Sequence, residues 1–287
     1  MNEAAFLNLL RPLATHTAAR GLLDDAAVLG DLVFTHDMLV EGVHFLPGDP
    51  AGDVAWKLLA VNLSDLAAKG ATPVGVLMGY ALRGHGAWNA AFVTGLAGAL
   101  DHFNVALLGG DTVAMSGARV LSLTAIGRSA NAPSRSGAEA GDALYITGTV
   151  GRAGLGLKLA REGHSEECAH LTAYRRPVPR LSEGQALAPV VRAMMDVSDG
   201  LLIDAQRMAA ASGLAVDIDL DEVPHAGELM AAITAGDDYE LLFAASSEMP
   251  LPVAATRIGS FSEGSGLSLH NHNGNVALPP RLGYMHG

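Results

Sequence analysis

Asp65 lies on what is otherwise the apolar face of a predicted helix. In the stretch DVAWKLLAVNLSDL, Val54, Leu58, Val61 and Asp65 follow one another at spacings of four, three and four residues, which places them on one side of the helix. Burying an unpaired carboxylate is costly, so this side chain needs a partner. A buried ion pair or a bound cation would each supply one.

Further aspartates occur where predicted strands end or turns begin. Apolar residues flank each of them on at least one side, which puts their carboxylates at the rim of a core. Like charges that gather there repel and raise one another's pKa values unless a cation lies between them. Sites built from carboxylates suit Mg²⁺ or Mn²⁺, which also bind substrate phosphates. The set comprises Asp24, Asp25, Asp37, Asp111, Asp196, Asp199, Asp237 and Asp238.

Each of these acids also has an ordinary structural interpretation. The GGD of residues 109–111 is typical of a turn, and in DVSDG either Ser198 or Asp199 can cap a helix. For Asp65, the structural alternative is a buried ion pair. Taken together, the acidic positions favour a metal site.

The charge of the chain limits its partners. Its net charge is −12, and only three lysines occur, Lys57, Lys69 and Lys158. A surface that binds nucleic acid or an anionic membrane needs clustered Lys and Arg, so both partners are excluded. If the substrate carries phosphates, metal ions must supply most of the positive charge.

The composition indicates a folded protein from a reducing compartment. Of its 287 residues, 49% are hydrophobic and 17% are charged, and a chain of this length commonly forms two domains. No apolar run is long enough to span a bilayer, and the N-terminal residues lack the features of a signal peptide. Cys168 is the single cysteine, which excludes an intramolecular disulfide. We therefore expect a cytoplasmic protein.

Strands and helices alternate along the first half of the chain. The pattern predicts a helix at the N-terminus, strands at AAVLG and LVFTHDML, and then the helix described above, with Asp49 as its cap and Gly70 at its end. A strand at VGVLMGYAL and a helix from about Trp88 to Phe103 follow, and then strands at VALLGG and RVLSLTAIG.

Residues 128–142 indicate a linker, because they are rich in Ser, Pro, Gly and Ala without periodicity. After them the pattern predicts strands at ALYITG, VVRAMMDV, AVDIDL and YELLFAA, and helices at AGLGLKLAREG and from about Gly200 to Ser212. This mixture predicts an α+β fold with two domains, residues 1–130 and residues 131–287.

Several well-known motifs of catalysis are absent from the sequence. Residues 148–158, GTVGRAGLGLK, contain neither GxxxxGK[ST] nor a well-spaced GxGxxG, and we interpret them as a tight turn between a strand and a helix. The chain also lacks Gly-x-Ser-x-Gly and any Cys/His spacing typical of zinc sites.

The order and spacing of eight motifs resemble those of one known family. The motifs are DDAAVL, THDMLVEGVHFLP, AVNLSDLAAKGATP, LLGGDT, SRSGAEAGDALYITG, DVSDGL, GDDYELLF and a terminal LGYMHG. With them the chain resembles the thiamine-monophosphate kinases, which belong to the superfamily that includes aminoimidazole ribonucleotide synthetase. The resemblance covers nearly the whole chain, and the second and third motifs carry most of it.

The resemblance implies an activity, a fold and a set of site residues. Members of the family transfer the γ-phosphoryl group of ATP directly to thiamine monophosphate, with several Mg²⁺ ions in an acidic cleft. Their N-terminal α+β domain dimerises through its sheet and their C-terminal α+β domain closes over the nucleotide, so a homodimer is expected. The implied metal ligands are Asp25, Thr35, His36, Asp37, Asp65, Asp111, Asp196 and Asp199. The implied ATP contacts are Gly110, Asp111, Arg135 and Ser198, with Asp111 and Arg135 as the catalytic pair. The implied acceptor contacts are His44, Asp237 and Tyr284.

Direct phosphoryl transfer agrees with what these residues offer. The reaction needs positioning and charge neutralisation more than covalent chemistry, and Arg135 can stabilise the charge of the moving group. An acceptor phosphate oxygen is already ionised at neutral pH, so no strong general base is required. Two alternatives stay open, namely another ATP-using enzyme of the same superfamily and a non-catalytic, metal-stabilised nucleotide-binding module.

Overall fold

The first half of the chain forms a five-stranded sheet with helices against it. The computed structural model describes residues 3–84 and 86–285. In chain order the elements are α1 (Glu3–Leu10), β1 (Ala27–Leu29), β2 (Leu32–Val40), α2 (Ala51–Ala68), β3 (Thr72–Leu82), α3 (Gly86–Phe103), β4 (Ala106–Ala114) and β5 (Val120–Arg128), with short 3₁₀ helices at Arg11–Leu13 and Thr17–Leu22. The strand order is β1-β2-β5-β3-β4, and all neighbours are antiparallel except β3 and β4. The parallel strand β4 therefore forms one edge of the sheet.

The second half forms a seven-stranded sheet. Its elements are β6 (Ala143–Ile146), α4 (Arg152–Arg161), α5 (Ala169–Arg175), α6 (Leu181–Leu187), β7 (Ala193–Asp196), α7 (Leu201–Ser212), β8 (Leu214–Asp219), α8 (Leu229–Thr234), β9 (Leu241–Ala245), β10 (Thr256–Glu263), β11 (Gly266–Asn271) and β12 (Gly274–Val276). The strand order is β12-β11-β8-β10-β6-β9-β7, with one parallel pair, β8 and β11. The predicted α+β class is confirmed, whereas the boundary after residue 130 stays a prediction.

Helix α2 is buried on nearly all sides. It packs on β2, β5 and α3 of the first half and also contacts α6 and β7 of the second. Fourteen of its eighteen residues are buried. At its end Gly70 adopts a φ of +57°, and a Cβ at this position would lie 2.2 Å from the Cβ of Ala188, so only glycine fits. None of the described helices, α2 included, is long and apolar enough to cross a membrane.

The predicted cap of α2 is wrong. Pro50 occupies the N-cap position, and no side chain caps the helix there. The carboxylate of Asp49 instead accepts hydrogen bonds from the backbone of Leu46 and from the hydroxyl of Tyr174, each at 2.8 Å. Tyr174 lies in α5, so a contact distant in sequence overrides the local capping preference.

The GGD segment continues a strand and does not form a turn. β4 runs through residues 109–111, with Gly110 opposite Met78 of β3. A Cβ at Gly110 would lie 1.9 Å from the carbonyl oxygen of Met78, and its φ is +150°. The two glycines therefore allow β4 to lie close against β3, which explains them without a turn. The strand-to-helix turn predicted for residues 148–158 is confirmed, because α4 begins at Arg152.

Candidate metal centre

Three carboxylates from distant parts of the chain converge. Asp25 precedes β1, Asp65 lies in α2, and Asp196 ends β7. One oxygen of each lies within 4.8 Å of the others. The cluster is largely buried, since Asp196 is only 3% exposed and the side chain of Asp25 only 4%. Both halves of the chain contribute, and the structure brings together three of the predicted metal ligands.

Burial and mutual repulsion raise the pKa values of the clustered acids. Burial raises the pKa of Asp65 well above its usual range, and the charges of Asp37 and Asp196 add to it. Burial and the charge of Asp25 raise the pKa of Asp196 to about 8. The pKa of Asp37 rises to about 6 through burial and the charges of Asp25 and Asp199. At neutral pH the cluster therefore favours either protons or an added cation.

The carboxylate of Asp65 accepts a hydrogen bond from a hydroxyl and lies among other acids. The hydroxyl of Thr35 donates to its carboxylate, and the adjacent Ser64 hydroxyl donates to Asp196. None of the ion pairs formed within residues 3–84 and 86–285 involves Asp65. The structure thus favours a bound cation over the ion-pair alternative for this residue.

The cations near the cluster pair with Asp25 and its neighbour Asp24. The ammonium of Lys69 lies 2.8 Å from Asp25 Oδ2 and also pairs with Asp24, and Arg135 pairs with the other oxygen of Asp25. Burial disfavours the charge of Asp25, but Lys69 and Arg135 outweigh it and hold the pKa of this carboxyl well below its usual range. The carboxylate of Asp25 is therefore ionised at any physiological pH.

The residues present fit a divalent cation. Asp25 Oδ2 is buried and forms no hydrogen bond, although it lies within ion-pair distance of Lys69. The three converging ligands are all carboxylate oxygens, which are the donors that Mg²⁺ and Mn²⁺ prefer. A cation placed among them would also relieve the repulsion that raises the pKa values of Asp65 and Asp196.

The turn after β7 brings Asp199 and Ser198 to the same region. The carboxylate of Asp204 accepts hydrogen bonds from the backbone of Asp199 and Gly200, at 3.1 and 3.2 Å. Arg207 pairs with both Asp199 and Asp204. This buried network fixes the DVSDG segment at the start of α7.

Sequence reasoning missed Ser64, Lys69 and Asp204, together with Lys57. All four are polar residues within apolar helical stretches. A polar residue in an apolar helical stretch is also the pattern that identified Asp65. The same pattern could therefore have identified these four residues.

Two of the implied metal ligands are not brought to the cluster. His36 follows Thr35 on β2, so its side chain lies on the opposite face of the strand, where Nδ1 contacts the Thr124 hydroxyl at 2.8 Å. Asp111, with Gly110, lies on the exposed edge strand β4, and three strand spacings, about 14 Å, separate this strand from β2. Metal binding by His36 and Asp111 stays a prediction.

The implied acceptor contacts lie around the DVSDG turn. The backbone N–H groups of Asp237 and Tyr284 donate to the carbonyls of Ser198 and Asp199, at 2.8 and 2.9 Å. His44 lies in the loop after β2, where its Nδ1 accepts a hydrogen bond from Val40 N–H at 3.0 Å. The side chains of Asp237 and Tyr284 are 31% and 45% exposed. Tyr284 is thus held beside the DVSDG turn.

Sequence comparisons place the chain among known proteins. Family models described as AIR synthase related protein, N-terminal domain and C-terminal domain, match residues 23–129 and 139–268. A thiamine-monophosphate kinase from Caulobacter vibrioides is 40% identical over 97% of this chain and 89% of its own length. The chain belongs to the thiamine-monophosphate kinase family. The resemblance predicted from eight motifs is therefore confirmed.

Solved structures of the family share the fold. A protein described as AaThiL complexed with AMPPCP and TMP superposes with a TM-score of 0.89 at 26% identity, covering 99% of this chain and 97% of that one. A thiamine-monophosphate kinase from Stenotrophomonas maltophilia superposes with a TM-score of 0.77 at 34% identity, covering 95% and 96%. Both sheets thus belong to the fold of these solved structures.

Proposed function

We propose that the protein transfers the γ-phosphoryl group of ATP to thiamine monophosphate and so forms thiamine diphosphate. The observation that carries this proposal is the convergence of Asp25, Asp65 and Asp196, with pKa values raised at two of them, in a member of the thiamine-monophosphate kinase family. The relative bound to AMPPCP and TMP supports the two substrates. The protein is then a phosphotransferase that acts on a phosphate group.

Different residues of the chain have different proposed roles in the phosphoryl transfer. The proposed Mg²⁺ ligands are Asp25, Asp65 and Asp196, joined by Asp37 and Asp199. When bound, the ions neutralise phosphate charge and orient the reacting groups. In addition, Arg135 pairs with Asp25 and keeps 20% of its side chain exposed, and we propose that its guanidinium contacts a phosphate of the nucleotide. Ser198, in the turn that follows β7, is the proposed nucleotide contact next to the cluster.

We propose a homodimer formed through the first sheet. The edge strand β4 is exposed along its whole length and carries the apolar residues Leu107, Leu108 and Val113. An unpaired, apolar edge strand is a favoured surface for association. Gly110 and Asp111 would then lie at the interface, where they can serve a nucleotide site completed by a second copy.

Leu107→Asp is expected to shift the protein from dimer to monomer, because it places a charge in the proposed interface. Light scattering after size-exclusion chromatography would measure the mass. Leu13→Asp is the matched control, since Leu13 is 76% exposed and lies outside β4, and this variant should remain dimeric. A monomeric wild type, or a dimeric Leu107→Asp, would overturn the proposed interface.

We also propose a cytoplasmic location. Cys168 is the single cysteine and is exposed. A protein without disulfides suits a reducing compartment.

The proposed function is tested with ATP, thiamine monophosphate and Mg²⁺. Chromatography should show ADP and thiamine diphosphate forming in equal amounts, with no ADP when the acceptor is omitted. Thiamine without its phosphate serves as a second control and should not be phosphorylated. ATP binding without turnover would instead support the nucleotide-binding module.

Tyr284→Ala is expected to raise KM for thiamine monophosphate about tenfold and to leave KM for ATP nearly unchanged, because ring stacking on the acceptor would be lost. The backbone N–H of Tyr284 donates to the carbonyl of Asp199, which places this residue beside the turn. Tyr284→Phe keeps the ring and should behave like the wild type. Steady-state kinetics with each substrate varied in turn would measure this, and an equal loss for both substrates would contradict the assignment.

A further inference from the structure

Lys57 is a buried cation with contacts in both halves of the chain. Its side chain is 2% exposed. The ammonium lies 2.7 Å from Asp237 Oδ2, donates to the carbonyl of His44 at 3.0 Å, and lies 4.5 Å from the centre of the Tyr174 ring. His44 comes from the loop after β2, whereas Asp237 and Tyr174 come from the second half. One ammonium group therefore joins residues that are far apart in sequence.

Stability alone does not explain a lysine at this position. Most of the other buried residues of α2 are apolar. Replacing a buried ion pair by well-packed apolar residues is often neutral or stabilising, because both charges lose their hydration. The partner is also unusual, since Asp237 keeps 31% of its side chain exposed. The ion pair between Lys57 and Asp237 thus holds a carboxylate that is partly exposed to solvent.

Two groups fix the carboxylate of Asp237. Lys57 holds Oδ2, and the hydroxyl of Tyr239 donates to Oδ1 at 2.9 Å. The surrounding turn has left-handed backbone at two residues that are not glycine, with φ of 69° at Asp237 and 53° at Tyr239. Such conformations are costly and cluster at sites where function depends on them. The turn is held in this shape by backbone hydrogen bonds from Asp237 to Ser198 and from Tyr239 to Val197.

The same ammonium also fixes the loop that carries His44. This loop has its own backbone bonds, from His44 N–H to the Val40 carbonyl at 2.9 Å and from Gly42 N–H to the Phe45 carbonyl at 2.7 Å. Lys57 adds a bond to the His44 carbonyl from the core side. Lys57 therefore links the backbone of His44 directly to the carboxylate of Asp237.

We propose that Lys57 is a positioning residue of the acceptor site. It sets the carboxylate of Asp237 and the backbone of His44 at a fixed separation, so that both contact thiamine monophosphate together. It acts through these residues and not on the reacting phosphates. This inference rests on the proposed function, because it concerns the same acceptor.

Lys57→Met is the direct test, because methionine keeps an unbranched stem and removes the ammonium. KM for thiamine monophosphate is expected to rise about ten- to a hundredfold, the effect of losing a hydrogen bond to a charged group. KM for ATP should stay within about twofold, since the nucleotide contacts lie elsewhere. A variant that folds, as shown by its melting curve, and keeps the wild-type KM for thiamine monophosphate would overturn the proposal.

Tyr174→Phe is the matched control for a merely structural effect. It removes the hydroxyl that donates to Asp49 from the same buried region but keeps the ring against Lys57. General loosening of this region would raise KM for both substrates in both variants. The proposal requires that only Lys57→Met shows the selective rise.

A second comparison covers the case in which Lys57→Met does not fold. Lys57→Gln keeps a polar group that can donate to the His44 carbonyl. This variant should also raise KM for thiamine monophosphate selectively, but by a smaller factor. Combining either Lys57 variant with Asp237→Asn should add little to the loss from Asp237→Asn alone, because the two residues act as one unit. Fully additive losses would show that Lys57 acts independently of Asp237.

The wild type separates this inference from the proposed function. If the wild type does not form thiamine diphosphate, the proposed function fails whatever the variants do. In that case calorimetric titration with thiamine monophosphate still tests Lys57, and equal affinity in wild type and Lys57→Met would overturn its role. If the wild type is active and the folded variant has an unchanged KM, only the role of Lys57 fails.

Discussion

Asp65→Asn is expected to abolish phosphoryl transfer and to make the metal-free protein more stable. Asparagine has nearly the same shape, can still accept from Thr35, and removes a charge that Asp37 and Asp196 repel. We expect the rate to fall by about a hundredfold or more, as for other electrostatic groups that stabilise developing charge. We expect the free energy of unfolding in chelator to rise by about 1–3 kcal/mol. Denaturant titration and steady-state rates would measure the two effects.

Asp53→Asn provides the matched control for this experiment. Asp53 also lies on α2, but in its first turn, where it pairs with the half-exposed Arg176. This substitution should leave the rate unchanged and alter stability little, because exposed ion pairs contribute little. A loss of about 3–5 kcal/mol in Asp65→Asn would instead show that Asp65 is half of a buried ion pair. Retained activity would remove Asp65 from the metal site.

The stability of the metal-free protein is expected to fall as the pH rises from about 4 to about 8. The folded-state pKa values of Asp37, Asp65 and Asp196 lie above the ordinary value near 3.8, so the folded state holds more protons than the unfolded state in this window. Stability is therefore fully present below that ordinary value and is lost as the pH passes each raised pKa. Asp24 and Asp25 have lowered pKa values, so each is ionised in both the folded and the unfolded state across this window. These two residues therefore add nothing to the pH dependence.

Mg²⁺ is expected to reverse this loss, and more strongly at about pH 8 than at about pH 5, because metal binding requires deprotonated carboxylates. Thermal unfolding in chelator and in Mg²⁺ across this range would measure both curves. Asp196→Asn should flatten the metal-free curve between about pH 6 and about pH 8, since the pKa of Asp196 is raised to about 8. The proposed metal site would be contradicted if the melting temperature in chelator rose with pH, or if it were the same with and without Mg²⁺.

Periodicity and position predicted the members of the acidic cluster but not its contacts. Asp65 could be identified because an acid in an apolar stripe has no local explanation, and Asp196 because it ends an apolar strand. The pairing of Lys69 with Asp24 and Asp25 could not be predicted, because it joins the end of α2 to a loop 44 residues earlier. Side-chain spacing within one element carries no information on which distant element packs against it.

Local patterns failed where tertiary contacts decide the outcome. Asp49 has the sequence position of a helix cap, yet its carboxylate is taken by Tyr174. The strands β10, β11 and β12 were not predicted, since glycines interrupt or begin them and they are held by pairing with β6, β8 and one another. The motif resemblance named Asp111 as a metal ligand, but a single copy of the chain leaves it on an exposed edge strand.

Helix α2 also fixes the distance between the proposed acceptor contacts and the acidic cluster. Lys57, beside the proposed acceptor contacts, and Asp65, in the acidic cluster, lie eight residues apart on this helix, about 12 Å along its axis. Because α2 is enclosed by both sheets, this separation cannot stretch without unpacking the core. If the ring of the acceptor is bound near Lys57, the distance from this ring to its phosphate must therefore match the distance to the acidic cluster. Molecular reach, and not only chemical type, would then decide which phosphate esters react.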